Sequence, residues 1–158
     1  LGHAQHSSEL PRVGNGRGRV TRCRRSGVRR RTDQPAQDQS TEIRTYVGTF
    51  DAVAAGPRNG RKVLLLHGFP GLGIEWEEQL LALAAAGYRA VAPDQRGYSP
   101  GVRPSEIADY GLDYGVNDVV AIADALGWYK FDLVGHDWGA CVAWVAAARY
   151  EYRVRRRR

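Results

Sequence analysis

Phe131-Asp132-Leu133-Val134-Gly135-His136-Asp137-Trp138-Gly139-Ala140 is the stretch whose reading decides the fold. Its first four residues read as a short, largely apolar strand, and residues 140–148 continue as an apolar helix. Between them two glycines flank a polar triplet. A strand must turn sharply into a helix here. Gly135 and Gly139 remove Cβ atoms that would collide in such a turn. Asp137, in the middle, is then held out at the C-terminal edge of a sheet. It also sits over a helix N-terminus, where a carboxylate is favoured as the anion. A presented, ionised carboxylate is what a nucleophile requires. With Ser in the middle, the same arrangement is the G-x-S-x-G nucleophile elbow. The competing reading is an Asp that only caps the helix.

Upstream, Val63-Leu64-Leu65-Leu66 is apolar without alternation, as a strand buried on both faces of a parallel sheet should be. Residues 88–92 form another such strand, ended by Pro93. Residues 43–50 read as one strand, with a weaker one over 52–54. Helical spacing places helices over 75–86 and 114–126, with Gly87 and Gly127 as stops. Val116, Val119, Val120, Ala123 and Leu126 form the buried stripe of the second helix, and Asn117, Asp118 and Asp124 lie off it. The helix at 140–148 is apolar nearly all round and is expected to be largely buried. Alternating strands and helices with short connections predict an α/β, doubly wound layout.

His67-Gly68-Phe69-Pro70-Gly71 follows the strand at 63–66. In this architecture the loop after that strand supplies one oxyanion-hole N–H, and the residue after the nucleophile supplies the other. The expected donors are the backbone amides of Phe69 and Trp138. Pro70 has no N–H to give. His67 is read as fixing loop geometry through its ring nitrogens rather than as a general base. Gly68, Pro70, Gly135, His136 and Gly139 are read as structural parts of the site. Asp94 and Arg96 are expected to pair and hold neighbouring loops. Ser99 lacks the elbow context and is not read as a nucleophile. Glu106, Asp109 and Asp113 show no metal-ligand spacing to a His, so neither metal nor cofactor is expected.

Three blocks, HGFPG at 67–71, APDQRGYS at 92–99 and VGHDWGA at 134–140, together resemble the α/β-hydrolase superfamily, and within it the epoxide hydrolase group. GYRAVAPD at 87–94 adds to this. The resemblance covers about residues 42–154. Haloalkane and fluoroacetate dehalogenases, which also use an elbow Asp, are similar too. The resemblance implies that Asp137 attacks an epoxide carbon to form an ester. A base-activated water then hydrolyses the ester to a vicinal diol. In the group, the His base, its acidic partner and the cap-domain tyrosines all follow the elbow. Here no His follows Gly139, and Glu151 is the one acid left. The chain is therefore expected to be the N-terminal portion of such a domain, an incomplete fold and inactive in isolation. The strand at 131–134 is expected to be left as an apolar sheet edge.

Charge divides the chain. Residues 1–40 hold nine Arg against Glu9, Asp33 and Asp38, and residues 151–158 hold five Arg against Glu151. Residues 41–150 are net acidic, so the overall +6 belongs to the ends. Segment 1–40 has no apolar periodicity and is expected to be disordered. The hydrolase portion is placed at 42–154 and a basic tail at 155–158. The basic ends suit weak polyanion contact through charge alone, and a non-enzymatic polyanion binder is the alternative outside catalysis. No specific nucleic-acid motif is present. Cys141 is expected to pack as a small hydrophobe, and Cys23 lies in the polar segment. Two cysteines, no secretory leader and no apolar run of membrane-spanning length suggest a soluble protein of the reducing cytoplasm. The expected partner is a small electrophilic substrate.

Overall fold

The computed structural model describes residues 37–155. The expectations for residues 1–36 and Cys23, and for Arg156–Arg158, lie outside them. Five strands, β1 (Gln37–Arg44), β2 (Thr49–Ala55), β3 (Arg61–Leu66), β4 (Tyr88–Pro93) and β5 (Asp132–Gly135), form one sheet in the order β1-β2-β4-β3-β5. β4 and β5 flank β3 in parallel, while β2 pairs antiparallel with β4 and β1 antiparallel with β2. The expected parallel centre is present, with an antiparallel pair added at one side.

β3 explains why. Val63, Leu64, Leu65 and Leu66 are at most 2% exposed, so both faces of the strand must be covered. Val63 and Leu65 pack with Ala90 and Ala92 against Leu80 and Ala84 of α1 (Glu77–Ala85). Leu64 and Leu66 pack with Val91 against Val116, Val119 and Ile122 of α2 (Leu112–Ala125), joined by Val142 and Ala146 of α3 (Trp138–Arg149). Each fully buried Leu contributes about 1.5–3 kcal/mol, and Leu64→Ala at this fully buried position costs ~2–5 kcal/mol.

The chain passes from β3 to β4 on one side and returns to β5 on the other. The loops leaving β3 and β5 therefore meet at the C-terminal edge of the sheet. Such a reversal of strand order is where open α/β sheets form their binding crevice.

Four expectations are corrected. Residues 43–50 are not one strand: Thr45 to Gly48 turn the chain back as a hairpin. Thr45 N–H donates to the Gly48 carbonyl at 2.9 Å, and its Oγ1 accepts the Val47 and Gly48 amides. Tyr46 and Val47 have high β propensity and hide this turn from pattern reading. Next, β1 begins at Gln37, inside the segment 1–40 expected to lack structure, because β2 offers its backbone a pairing edge. The helix α3 is not largely buried. Only Gly139, Val142 and Ala146 are, and Trp144 is 79% exposed. One stripe of α3 meets the sheet, and among the described residues only the isolated Phe131–Val154 bridge lies outside β5. Lastly, Cys141 is exposed rather than packed, since it lies off that stripe.

Candidate active site

Asp137 stands where β5 breaks into α3. Its backbone is left-handed, at φ 52° and ψ −122°, and it is the one non-glycine residue with positive φ among the described residues. Such a conformation costs energy for an L-residue and persists only where the surroundings impose it. They do so through close packing of the two flanking glycines. A Cβ on Gly135 would lie 2.3 Å from the Gly139 carbonyl oxygen. One on Gly139 would lie 2.4 Å from the carbonyl oxygens of both Leu66 and His67. The elbow is therefore pressed against the end of β3, with His136 N–H bonded to the Leu66 carbonyl at 3.1 Å.

The Asp137 side chain is exposed. Although Asp137 is the N-cap residue of α3, its carboxylate makes no capping bond to that helix. Instead Oδ1 accepts the Phe69 amide at 2.9 Å. The Phe69 amide, followed by the Trp138 amide, lowers the Asp137 carboxyl from its ordinary value; partial desolvation opposes this and His136 adds to it. The two amides expected to line an oxyanion hole thus both favour the Asp137 carboxylate, the Phe69 amide through Oδ1. Gly68 makes the approach possible, since a Cβ there would lie 2.5 Å from Cβ of Asp137. The Phe69–Pro70 peptide is cis.

His67 is 1% exposed. Its Nδ1 lies 2.8 Å from the Gly68 carbonyl, and its Nε2 accepts the Gln95 amide at 2.9 Å. That pattern places the proton on Nδ1 and leaves neither nitrogen free. The ring ties the loop after β3 to the loop after β4, with Tyr98 packed edge-on at 4.8 Å. Ser99 is fully buried, donating to the Asp94 carbonyl and accepting the Asp51 amide.

Asp94 and Arg96 do not pair. Asp94 continues the β4 alternation toward the α1 side and accepts the Gly73 amide at 2.7 Å. Past the turn, Arg96 swings to the other face and makes a two-point ion pair with Asp118 of α2, at 2.9 and 2.6 Å. Asp118 is 4% exposed. Burial raises its carboxyl from the ordinary value, against the opposing pull of Arg96. Asp118 was placed off the buried stripe by spacing; its signal in the sequence was the need of Arg96 for a counter-ion. Asp113 pairs with Arg149, and among the described residues no three His, Cys, Asp or Glu group to hold a metal.

An apolar cleft of about 400 Å³ opens beside the elbow. Leu66, Val119, Ile122 and Val142 line it, together with the exposed Phe69 and Trp138. Arg96 and Asp118 form a polar part of its wall. Residues 62–156 match the alpha/beta hydrolase fold family.

The chain belongs to the α/β-hydrolase family.

Its likeness within that family is to epoxide hydrolases. Epoxide hydrolase 3 of Siraitia grosvenorii is 52% identical over 107 residues, covering 68% of this chain and 34% of the relative. An epoxide hydrolase structure from Vigna radiata superposes with a TM-score of 0.68 at 39% identity, over 73% of this chain and 37% of that one. Epoxide hydrolase A of Mycobacterium thermoresistibile superposes with a TM-score of 0.70 at 39% identity, over 76% and 37%. This α/β-hydrolase chain spans about a third of the length of the curated relatives it matches. Among its described residues no helix is long and apolar enough to cross a membrane.

Proposed function

We propose that the chain carries the nucleophilic part of an epoxide hydrolase active site, with Asp137 as nucleophile and a small epoxide as substrate. The observation that carries this is the outward carboxylate with Oδ1 on the Phe69 amide. Oδ1 is held by that amide.

In this reading the other carboxylate oxygen, Oδ2, attacks an epoxide carbon. The carbon–oxygen bond to that carbon breaks, and the ring oxygen leaves as an alkoxide that takes up a proton. The substrate is now an ester of Asp137. Water adds to the ester carbonyl carbon and gives up a proton to a base. Negative charge develops on Oδ1, which already accepts the Phe69 amide, so that donor needs little reorganisation. Collapse expels the diol and restores the carboxylate. The apolar cleft would seat the substituent of the epoxide.

Among the described residues we assign no base for the second step. No His follows His136, and Glu151 is the single acid after Asp137. His67 is buried with both ring nitrogens engaged. We therefore propose that these 158 residues alone do not turn over epoxides. In this assignment residues 42–154 carry the hydrolase portion, with β1 extending it back to Gln37.

Incubation with styrene oxide, followed by intact mass and diol analysis, tests both steps. The expected result is one epoxide mass added to the native chain, none to Asp137→Asn, and no diol above that variant. Equal labelling of the two proteins would overturn the nucleophile. Sustained Asp137-dependent diol formation would overturn the proposed inactivity.

A further inference from the structure

The apolar cleft beside the elbow has a single charged pair in its wall, Arg96 and Asp118. Nε and Nη2 of Arg96 donate to the two oxygens of Asp118 at 2.9 and 2.6 Å. The guanidinium carbon lies 5.2 Å from the centre of the Tyr114 ring. A two-point ion pair and a ring together fix the plane of the guanidinium. Nη1 finds no acceptor among the described residues. Among those residues Trp76 Nε1 is the one enclosed side-chain nitrogen or oxygen that lacks a partner. Nη1 is therefore not enclosed, and the space that Arg96 borders is the cleft.

A donor held in this way discriminates between occupants. A wholly hydrocarbon substituent that fills the cleft strips water from Nη1 and gives nothing back, so a buried donor is left unsatisfied. A neutral oxygen at the right place accepts from Nη1 instead, and the donor is already positioned, so little ordering is lost. A carboxylate is a poorer match. Asp118 already neutralises the guanidinium, and a second anion beside it would lose its water in an apolar wall.

We propose that Arg96 is a specificity-determining residue, whose Nη1 donates to a neutral acceptor oxygen, a ketone or ether, carried on the substituent of the epoxide. Apolar carbons of that substituent lie along Leu66, Val119, Ile122 and Val142, and its oxygen reaches the guanidinium. Asp118 is a positioning residue, since it acts by holding Arg96. The substrate class is therefore narrower than small epoxides at large: an epoxide joined through a short apolar chain to one uncharged oxygen. This deepens, and for the place of the epoxide rests on, the reading of Asp137 as nucleophile. Gln95 and Tyr98 also border the cleft. The Gln95 amide nitrogen is bonded to the His67 carbonyl, which leaves the Tyr98 hydroxyl as the rival donor that a test must separate from Arg96.

The test uses the full chain with 1,2-epoxyoctane, analogues carrying one ketone at successive carbons of the chain, and an analogue ending in a carboxylate. Intact mass gives the rate of labelling at Asp137. We expect one ketone position to label about tenfold faster than the hydrocarbon, as a hydrogen bond to a charged donor allows. The carboxylate should gain nothing. That ratio should fall to about one in the double variant Arg96→Met with Asp118→Leu, which leaves no buried charge unpaired, and should persist in Tyr98→Phe. A second measurement needs neither variant nor labelling. Adding the matching epoxide-free ketone to the native chain should shift the guanidinium carbon signal of Arg96, and octane should not. Three outcomes overturn the proposal: no ketone position is preferred, the preference survives the double variant or vanishes in Tyr98→Phe, or the Arg96 signal ignores the ketone. Failure of the nucleophile reading looks different. A ketone that shifts Arg96 while no epoxide labels Asp137 leaves the subsite standing and counts against Asp137.

Discussion

The backbone amide of Phe69 donates to Oδ1 of Asp137 at 2.9 Å, across 68 positions of sequence. This bond joins the loop leaving β3 to the elbow leaving β5. It holds one of the two carboxylate oxygens on a backbone dipole. The same contact sets the ionisation of Asp137, which leads to the first prediction.

Because the Asp137 carboxyl is lowered from its ordinary value of 3.8, its folded pKa lies below that of the unfolded chain, ~3.9. The contribution to stability is therefore present above the unfolded value and is lost as pH falls through the folded one. Ester formation with an epoxide should follow the same titration, with its acid limb below the ordinary carboxylate range. A carbon-13 titration of the Asp137 carboxyl reads this directly. In Gly68→Ala the added methyl group displaces Asp137 from the Phe69 amide, and the midpoint should rise. A native midpoint at or above 3.8 would contradict the role given to the amide.

Gly139→Ala should destabilise the fold by roughly 1–3 kcal/mol or more. The new Cβ meets two carbonyl oxygens of β3 and its following loop at 2.4 Å, and backbone has little room to yield. Urea unfolding of the two proteins compares them. A variant as stable as the parent would show that the elbow is not pressed against β3.

Asp118→Asn leaves the Arg96 guanidinium in place without its carboxylate. The pair is well buried, with the Arg96 side chain 12% exposed and that of Asp118 6%. Breaking such a pair from one side costs ~3–5 kcal/mol, more than replacing both partners with apolar groups of similar volume. The double variant Arg96→Met with Asp118→Leu should therefore unfold at higher urea than Asp118→Asn. The reverse order would remove the ion pair from the account of how the loop after β4 is held.

Cys141 should react with a disulfide reagent such as DTNB in the folded state. In a Cys23→Ser background one thiol should titrate without denaturant, because Cys141 is free and exposed on α3. Protection until unfolding would place Cys141 in a packed surface and would contradict the open face of α3.

The elbow was legible because its signal is local. An apolar strand, two glycines and an apolar helix leave few ways to turn within five residues. The central strand was legible for a related reason, since four consecutive apolar residues demand cover on both faces. The hairpin at Thr45–Gly48 was not, because Tyr46 and Val47 favour strand and the turn is made by the Thr45 hydroxyl. The partner of Arg96 was also hidden. Asp94 was near in sequence, but the strand alternation sends it to the α1 side, and Asp118 arrives from a helix that follows the loop. Cys141 and α3 misled in another way. Apolar composition states what a helix can bury, not how much neighbouring structure there is to bury it.

Local chain chemistry was enough to determine that an α/β sheet forms and that a carboxylate sits at the break between strand and helix. Both depend on residues adjacent in sequence, through backbone sterics and hydrophobic period. Tertiary packing decided which amide holds that carboxylate, which acid neutralises Arg96, and which face of α3 stays open. Those outcomes depend on how the chain reverses about β3, bringing distant residues within a few ångströms, and no short stretch of sequence contains that distance.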